Sequence, residues 1–128
     1  MPTLNQKNLR NKTIGKIGED IAASFLSKKG YQIIGRNYRA RYGELDIVAV
    51  HKKTLVFVEV KTRSGKEFGT PEEAIGVHKL KELLFMADYF RMTNPDSPTR
   101  MRIDAIAIVL RSDETVLTLH HIENISGF

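Results

Sequence analysis

The clearest chemistry in this sequence lies in two acids and a base, Asp46, Glu59 and Lys61. Magnesium ions bind oxygen ligands, commonly one or two carboxylates completed by waters and substrate phosphate oxygens. A bound ion can lower the pKa of a water, orient it and polarise a phosphoryl group. A neighbouring ammonium can hold the attacking water or offset the charge that develops on the phosphate. These residue types therefore suit metal-assisted hydrolysis of phosphodiester bonds.

A β-hairpin over residues 43–63 would bring the two acids together. Two apolar runs flank a short polar connection there, a pattern typical of paired strands. If Val50 pairs with Leu55, Asp46 faces Glu59 at a Cβ separation of roughly 5 Å. Like charges opposed in this way destabilise a sheet, and a cation held between them would remove that cost.

A purely structural alternative is a ladder of ion pairs across the hairpin. In this alternative Glu44 faces Lys61 as a favourable pair, which explains the lysine but not the opposed acids. The register is the critical assumption, because a shift of one residue moves Asp46 to the other face of the sheet. Spacing alone leaves a metal site and a surface ladder equally open.

A helix over residues 13–29 is predicted before the hairpin. Its apolar residues recur at spacings of three and four, and Thr13 suits the N-terminal cap. Glu19 lies at the margin between the apolar face and the surface of this helix. Residues 1–12 are polar and basic, which indicates a flexible basic arm or a solvated terminus without a role.

Residues 31–41 predict an edge strand with a bulge at Gly35. Three arginines, Arg36, Arg39 and Arg41, make its exposed side basic. They suit contacts with a phosphate backbone, and equally suit an edge strand protected from aggregation. Both interpretations stay open at this point.

A second helix is predicted from a strong start signal. Thr70 can cap it, Pro71 suits its first position, and Glu73 completes a capping box. The helix should run to about Met92, with Gly76 inside it. Four apolar residues are expected to face inward: Val77, Leu80, Leu84 and Ala87.

Two further strands are predicted, over residues 101–110 and 115–122. The first is apolar on both faces, as a covered strand should be. Asp104 within it needs a partner, which we expect to be a basic side chain such as Arg102. The four histidines have no spacing typical of a metal site. The order helix, three strands, helix, two strands predicts an α/β fold, a mixed sheet with helices packed on it.

Composition limits the class of protein. The chain has 128 residues, which predicts a single domain over residues 13–128, and its hydrophobic content of 41% suits a globular core. No apolar run approaches the roughly 20 residues of a membrane span, and no secretory signal is evident. Without cysteine there is no disulfide or thiol chemistry, so a cytoplasmic protein is the simplest interpretation. The net charge of +5 makes a polyanionic partner plausible.

The hairpin also resembles a known motif. Asp46, followed by Glu59-Val60-Lys61, is similar to the D-(x)n-E-x-K pattern of the PD-(D/E)xK nuclease superfamily, which includes restriction endonucleases and Holliday junction resolvases. The surrounding sequence is more specific. The stretches GKIGEDIAASFL, GELD, LVFVEVKTR and FGTPEEAI together resemble the bacterial YraN family of predicted nucleases, and the resemblance covers roughly residues 14–110.

This resemblance implies a restriction-endonuclease-like fold and a metal-dependent endonuclease that uses Mg²⁺ or Mn²⁺ to cleave DNA, branched or recombination intermediates among its substrates. It implies that Asp46 and Glu59 bind the metal, that Glu19 on the first helix joins them, and that Lys61 is the catalytic lysine. The sequence departs from the superfamily at Leu45, where the motif name has proline.

The resemblance also leaves other properties open. A protein that keeps the fold and binds nucleic acid without cleaving it is the alternative, and a homodimer is an option because many relatives of this fold act as dimers. A basic surface around the site would recruit nucleic acid by releasing its counterions. We assign five residues to this surface: Arg39, Arg41, Arg63, Lys66 and Lys79.

Overall fold

The computed structural model describes residues 4–64 and 76–127. Their order is helix, three strands, helix, two strands, which confirms the predicted α/β class. The elements are α1 (Leu4–Lys28), β1 (Gln32–Ala40), β2 (Gly43–His51), β3 (Thr54–Ser64), α2 (Val77–Thr93), β4 (Arg100–Leu110) and β5 (Val116–Ile122).

The strands form one mixed sheet in the order β1-β2-β3-β4-β5. Neighbouring strands are antiparallel except β3 and β4, which are parallel. A parallel pair needs a crossover connection, and α2 lies between these two strands in the chain. The predicted edge strand is β1, and its register against β2 shifts between Ile33 and Gly35, which confirms the predicted bulge.

The two helices pack on opposite faces of the sheet. Alternation along β3 sends Val56 and Val58 into a cluster with Leu26 of α1. The same alternation sends Leu55 and Phe57 into a second cluster on the α2 face. Each of these large side chains is essentially fully buried, which stabilises the fold by roughly 2 kcal/mol per side chain. The predicted covered strand is β4, which lies between β3 and β5 and is buried over most of its length.

The first helix begins earlier than predicted. It starts at Leu4, so Thr13 lies inside the helix and does not cap it. Residues 4–12 have few apolar positions, so hydrophobic periodicity gave no helical signal there. The division of the chain into an arm and a domain stays a prediction. Neither α1 nor α2 is long and apolar enough to cross a membrane.

The second helix differs from the prediction at its start and in its inward face. The capping box of Thr70 and Glu73 lies outside the described residues. Gly76 is the N-cap of α2 instead of an interior residue. Because glycine has no side chain, no side-chain hydrogen bond caps this end of the helix. Ala87 is buried on the inward face as predicted, and Leu80 and Leu84 pack at the margin of that face, only partly buried. The side chain of Val77 lies outside the described part of the structure. The helical residues buried against the sheet are Leu83, Met86, Ala87 and Phe90.

Candidate functional site

The register of the hairpin places the two predicted metal ligands next to each other. Val50 pairs with Leu55 as predicted, and the antiparallel ladder ends immediately before Asp46 and Glu59. Asp46 Oδ2 then accepts a hydrogen bond of 2.9 Å from the backbone N–H of Val60. A side-chain carboxylate thus satisfies a backbone donor at the point where the ladder stops. The position of Asp46 is therefore fixed by the backbone of β3.

The carboxyls of Asp46 and Glu59 lie within hydrogen-bonding reach of each other. Glu59 is only 8% exposed, and its Oε2 is buried without a hydrogen-bond partner. Burial, and then the charge of Asp46, raises the pKa of Glu59 to about 8. Burial also raises the pKa of Asp46, although the Val60 N–H opposes this effect. The two acids together are therefore harder to ionise than two separate carboxyls would be.

A third acid, Glu19, reaches this pair from α1. A Cβ placed on Gly18 would overlap the side chain of Thr62 on β3, so the helix and the sheet touch closely there. This close approach holds the adjoining Glu19 near the end of the β2–β3 ladder. Burial, and then the charges of Asp46 and Glu44, raises the pKa of Glu19. Hydrophobic periodicity assigns no role to Gly18, and its lack of a side chain is the feature of the sequence that permits this approach.

Asn37 on β1 joins the acids from the edge of the sheet. Oriented so that its side-chain nitrogen donates, it lies 2.8 Å from Glu19 Oε1 and 2.9 Å from Glu44 Oε1. Its backbone φ is 51°, in the left-handed region that asparagine tolerates better than most residues. Sequence reasoning missed this residue, because an asparagine in a predicted edge strand is usually a solvated side chain.

The ammonium group beside Glu59 belongs to Lys79 of α2. Its Nζ lies 3.5 Å from Glu59 Oε1 and 3.6 Å from Glu82 Oε2. Burial alone would lower the pKa of Lys79, but the charges of Glu59 and Glu82 raise it overall. Glu82 in turn contacts Gly43, where an added Cβ would meet its carboxylate and where φ is 156°. We predicted Lys79 as a nucleic-acid contact and did not foresee Glu82.

Lys61 is placed differently from the predicted ion-pair ladder. The β2–β3 ladder ends before Glu44 and Lys61 would pair, and Glu44 Oε2 lies instead 3.5 Å from Arg39 Nε. Within the described part of the chain, Lys61 forms no ion pair with a carboxylate. It lines a cavity of about 300 Å³ beside the turn of α1 at Gly15, together with Arg63. Its catalytic role stays a prediction.

The donor set of this site fits a hard cation such as Mg²⁺. Asp46 and Glu59 offer carboxylate oxygens, and the buried Glu59 Oε2 lacks a donor. Over residues 4–64 and 76–127, no three acids or histidines are arranged to hold a metal ion by themselves. Two carboxylates are nevertheless enough for Mg²⁺, which usually keeps several waters and takes further oxygens from substrate phosphates.

The predicted nucleic-acid contacts are distributed unevenly around the site. Arg39 is 75% exposed at its side chain although it pairs with Glu44. Arg41 is exposed, with its guanidinium 5.8 Å from the centroid of the Tyr42 ring. Arg63 is half-buried in the cavity that Lys61 lines. Lys66 lies outside the described residues. Arg39 on β1 and Arg41 in the turn after it thus present the most accessible positive charge of the predicted set.

A second polar cluster surrounds Asp104 on β4. Its carboxylate accepts hydrogen bonds from Arg102 Nε at 3.0 Å and from the Asn124 N–H at 2.9 Å. His121 Nε2 lies 2.8 Å from its other oxygen. Tyr31 adds a contact of 2.6 Å between its hydroxyl and Arg102. The predicted ion pair of Asp104 with Arg102 is confirmed, whereas the partnership with His121 was not foreseen.

Comparison with known proteins agrees with the motifs. A model of the uncharacterised protein family UPF0102 matches residues 18–108. The UPF0102 protein TTE1452 of Caldanaerobacter subterraneus subsp. tengcongensis is 39% identical over 92% of this chain and 98% of its own length. A UPF0102 protein of Syntrophotalea carbinolica is 45% identical over 80% of this chain and 83% of its own length. The chain therefore belongs to the UPF0102 family, which is the YraN family that its motifs indicated.

Proposed function

We propose that this chain is a metal-dependent endonuclease that hydrolyses phosphodiester bonds in DNA. One observation carries the proposal. The carboxyl of the partly buried Asp46 and that of the buried Glu59 come together where the β2–β3 ladder ends, and Glu59 Oε2 has no donor there. When both acids are ionised, their like charges lie side by side in a place with little water, and Lys79 beside Glu59 compensates for only one of them. A divalent ion bound from solution would supply that compensation.

The proposed roles follow the geometry of the site. Asp46 and Glu59 would hold Mg²⁺ or Mn²⁺, and Glu19 would assist from α1. When bound, the ion would polarise the phosphoryl group and lower the pKa of a bound water. Lys79 holds Glu59 Oε1 and adds positive charge where charge develops on the phosphate. Lys61 remains our proposed residue for positioning water or phosphate.

DNA is the proposed substrate because of charge and resemblance. The net charge is +5, and Arg39 on β1 and Arg41 in the turn after it expose guanidinium groups. The same strand carries Asn37, which contacts Glu19 and Glu44. Arginines arranged in this way can bind phosphates and release counterions. Branched or recombination intermediates are proposed from the resemblance to Holliday junction resolvases.

A nucleic-acid-binding protein without turnover is the second candidate, and a specific observation favours it. Burial and the charge of Asp46 raise the pKa of Glu59 to about 8, and among the described residues no three acids are arranged to hold a metal ion by themselves. A site of this kind can keep its fold and its basic surface without binding a catalytic ion tightly enough for turnover. Salt-dependent DNA binding without cleavage is the behaviour expected from this candidate.

The proposed function is tested with a panel of branched, flapped and linear DNA in Mg²⁺ or Mn²⁺. We expect wild-type protein to cut at least one substrate. Glu59→Gln should reduce the cleavage rate by more than about 100-fold, because loss of groups that merely support metal ligands already costs 10–100-fold.

Leu117→Ala is the matched control, since Leu117 is an exposed residue on the opposite edge strand. Cleavage by wild type and control, but not by Glu59→Gln, supports the endonuclease. Full activity of Glu59→Gln, or no cleavage of any substrate by wild type, contradicts it. A salt-dependent gel shift without cleavage assigns the chain to the second candidate.

A further inference from the structure

Three aromatic side chains are exposed beside the carboxylate site. Tyr42, in the β1–β2 turn, is 54% exposed, and Phe85 on α2 is 52% exposed. Their rings meet edge to face, with centroids 4.8 Å apart. Tyr89, one helical turn beyond Phe85, is 36% exposed. We call Tyr42, Phe85 and Tyr89 the aromatic platform.

The platform is continuous with the proposed active site. Tyr42 directly precedes Gly43, which packs against Glu82 of α2. Glu82 pairs with Lys79, and Lys79 pairs with Glu59. Phe85 follows Glu82 by three residues, so that it lies on the neighbouring turn of the same helix face. A strand whose phosphate lies at the carboxylates would therefore have its adjoining nucleotides near these rings.

The charges around the platform favour an anionic occupant. The Arg41 guanidinium lies 5.8 Å from the centroid of the Tyr42 ring. Lys81 is exposed and lies four residues before Phe85 on α2. Surfaces that bind single-stranded nucleic acids combine aromatic rings with cations, because bases stack on the aromatic faces while the cations bind the phosphates. Bases paired within a duplex offer no free face for such stacking.

We infer that the aromatic platform binds unpaired bases of the nucleic acid next to the bond that is cut. The proposed substrate is thus DNA with a single-stranded portion, as in a flap, fork or end, and not uninterrupted duplex. This inference rests on the proposed function of the site, because that site fixes where the strand passes.

The inference is tested by binding without metal, so that cleavage plays no part. Fluorescence anisotropy of labelled single-stranded and duplex oligonucleotides of equal length is measured in EDTA at constant ionic strength. We expect Tyr42→Ala to weaken single-strand binding by about 5- to 100-fold, since stacking contributes about 1–3 kcal/mol per base. Duplex binding should change by less than about twofold, because phosphate contacts carry it.

Two matched variants complete the design. Tyr42→Phe keeps the ring and should bind single strands as wild type does, whereas Leu117→Ala removes an exposed apolar side chain from the opposite edge strand and should change neither affinity. Circular dichroism melting shows whether each variant is folded. Equal losses on single strands and duplex, or no loss in Tyr42→Ala, overturn the inference.

Sedimentation of the same proteins tests a competing occupant, a second copy of this chain. If wild type self-associates and Tyr42→Ala is monomeric with unchanged DNA binding, the platform is a protein interface and the inference is overturned.

The two proposals fail separately. A wild-type protein that binds single strands through Tyr42 but cuts no DNA keeps the platform and contradicts the endonuclease. If wild type cuts DNA, and Tyr42→Ala changes neither cleavage nor single-strand binding, the endonuclease proposal stands and the inference about the aromatic platform is overturned.

Discussion

Asp104 and Glu59 are both buried in the same sheet, but their surroundings act on them in opposite ways. Burial alone would raise the pKa of Asp104, yet hydrogen bonds from His121, Arg102 and the Asn124 N–H hold it below its usual range. Burial raises the pKa of Glu59, and the neighbouring Asp46 raises it further, to about 8. Donors of the chain favour the ionised form of Asp104, whereas burial and a neighbouring acid favour the protonated form of Glu59 in spite of Lys79.

We interpret this difference as one between a structural acid, Asp104, and a proposed functional acid, Glu59. Asp104 holds β4 to His121 of β5 and to the chain that follows, where the Ile125 N–H also donates to Ile103 O at 2.7 Å. Its donors are complete, so it offers little to a ligand. Glu59 keeps an oxygen without a donor while acids gather around it. Strongly perturbed carboxyls in this condition are typical of sites that bind or react.

The largest effect should come from breaking the structural acid. Asp104→Asn removes the charge that compensates Arg102 and replaces one oxygen acceptor with a donor that faces His121 or the Arg102 guanidinium. We expect the free energy of unfolding to fall by about 3–5 kcal/mol, the range found when one partner of a buried ion pair is removed. Urea denaturation followed by circular dichroism at pH 7 measures it.

Asp96→Asn is the matched control, because Asp96 is exposed in the loop after α2. It should change stability by less than about 0.5 kcal/mol. If Asp104→Asn lowers the free energy of unfolding by less than about 1 kcal/mol, Asp104 and its hydrogen-bond partners do not stabilise the fold as proposed.

The functional acid should respond to the corresponding change with the opposite sign. Unfolded Glu59 ionises near 4.5, but folded Glu59 keeps its proton up to about 8. The folded state therefore binds more protons between these values, and its free energy of unfolding falls as the pH rises through this window. Glu59→Gln cannot ionise and loses this dependence. Without metal at pH 9, we expect the variant to be more stable than wild type by a few kcal/mol, since one pKa unit corresponds to about 1.4 kcal/mol.

Urea denaturation in EDTA at pH 5 and pH 9 measures this effect. The two proteins should have similar stability at pH 5, because Glu59 is protonated in the folded state there. If Glu59→Gln is less stable than wild type at both pH 5 and pH 9, Glu59 is a structural acid like Asp104.

The sequence predicted those parts of this comparison that depend on local pairing. The hairpin register follows from alternation of apolar residues on either side of a short turn, so Asp46 beside Glu59 could be foreseen. Arg102 lies two residues from Asp104 on the same strand face, so this ion pair could be foreseen too.

Partners that arrive from distant elements could not be predicted from spacing. His121 reaches Asp104 only through the pairing of β4 with β5, which brings His121 opposite Ile106. Lys79 reaches Glu59 because of how α2 crosses the sheet, and no local pattern fixes that crossing. Glu19 was assigned by resemblance alone, and the structure adds Gly18 as the reason why its helix approaches the sheet closely. Long-range geometry therefore explains most of what was missed.

The smallest effect, and the most direct test of the proposed metal, is stabilisation by a divalent cation. An ion that binds only the folded state stabilises it by RT ln(1 + [L]/Kd), or about 1.4 kcal/mol at ten times Kd. Because carboxylates must lose their protons to bind a metal, the rise in Tm should be larger at pH 9 than at pH 6.

Asp46→Asn should lose most of this rise, whereas Asp104→Asn should keep it despite its lower starting Tm. Scanning fluorimetry with MgCl₂ against NaCl of equal ionic strength measures the difference. Equal rises in Tm for wild type and Asp46→Asn would mean that Asp46 and Glu59 do not bind the ion. Asp104 and Glu59 would then differ only in the hydrogen bonds that their carboxyls accept.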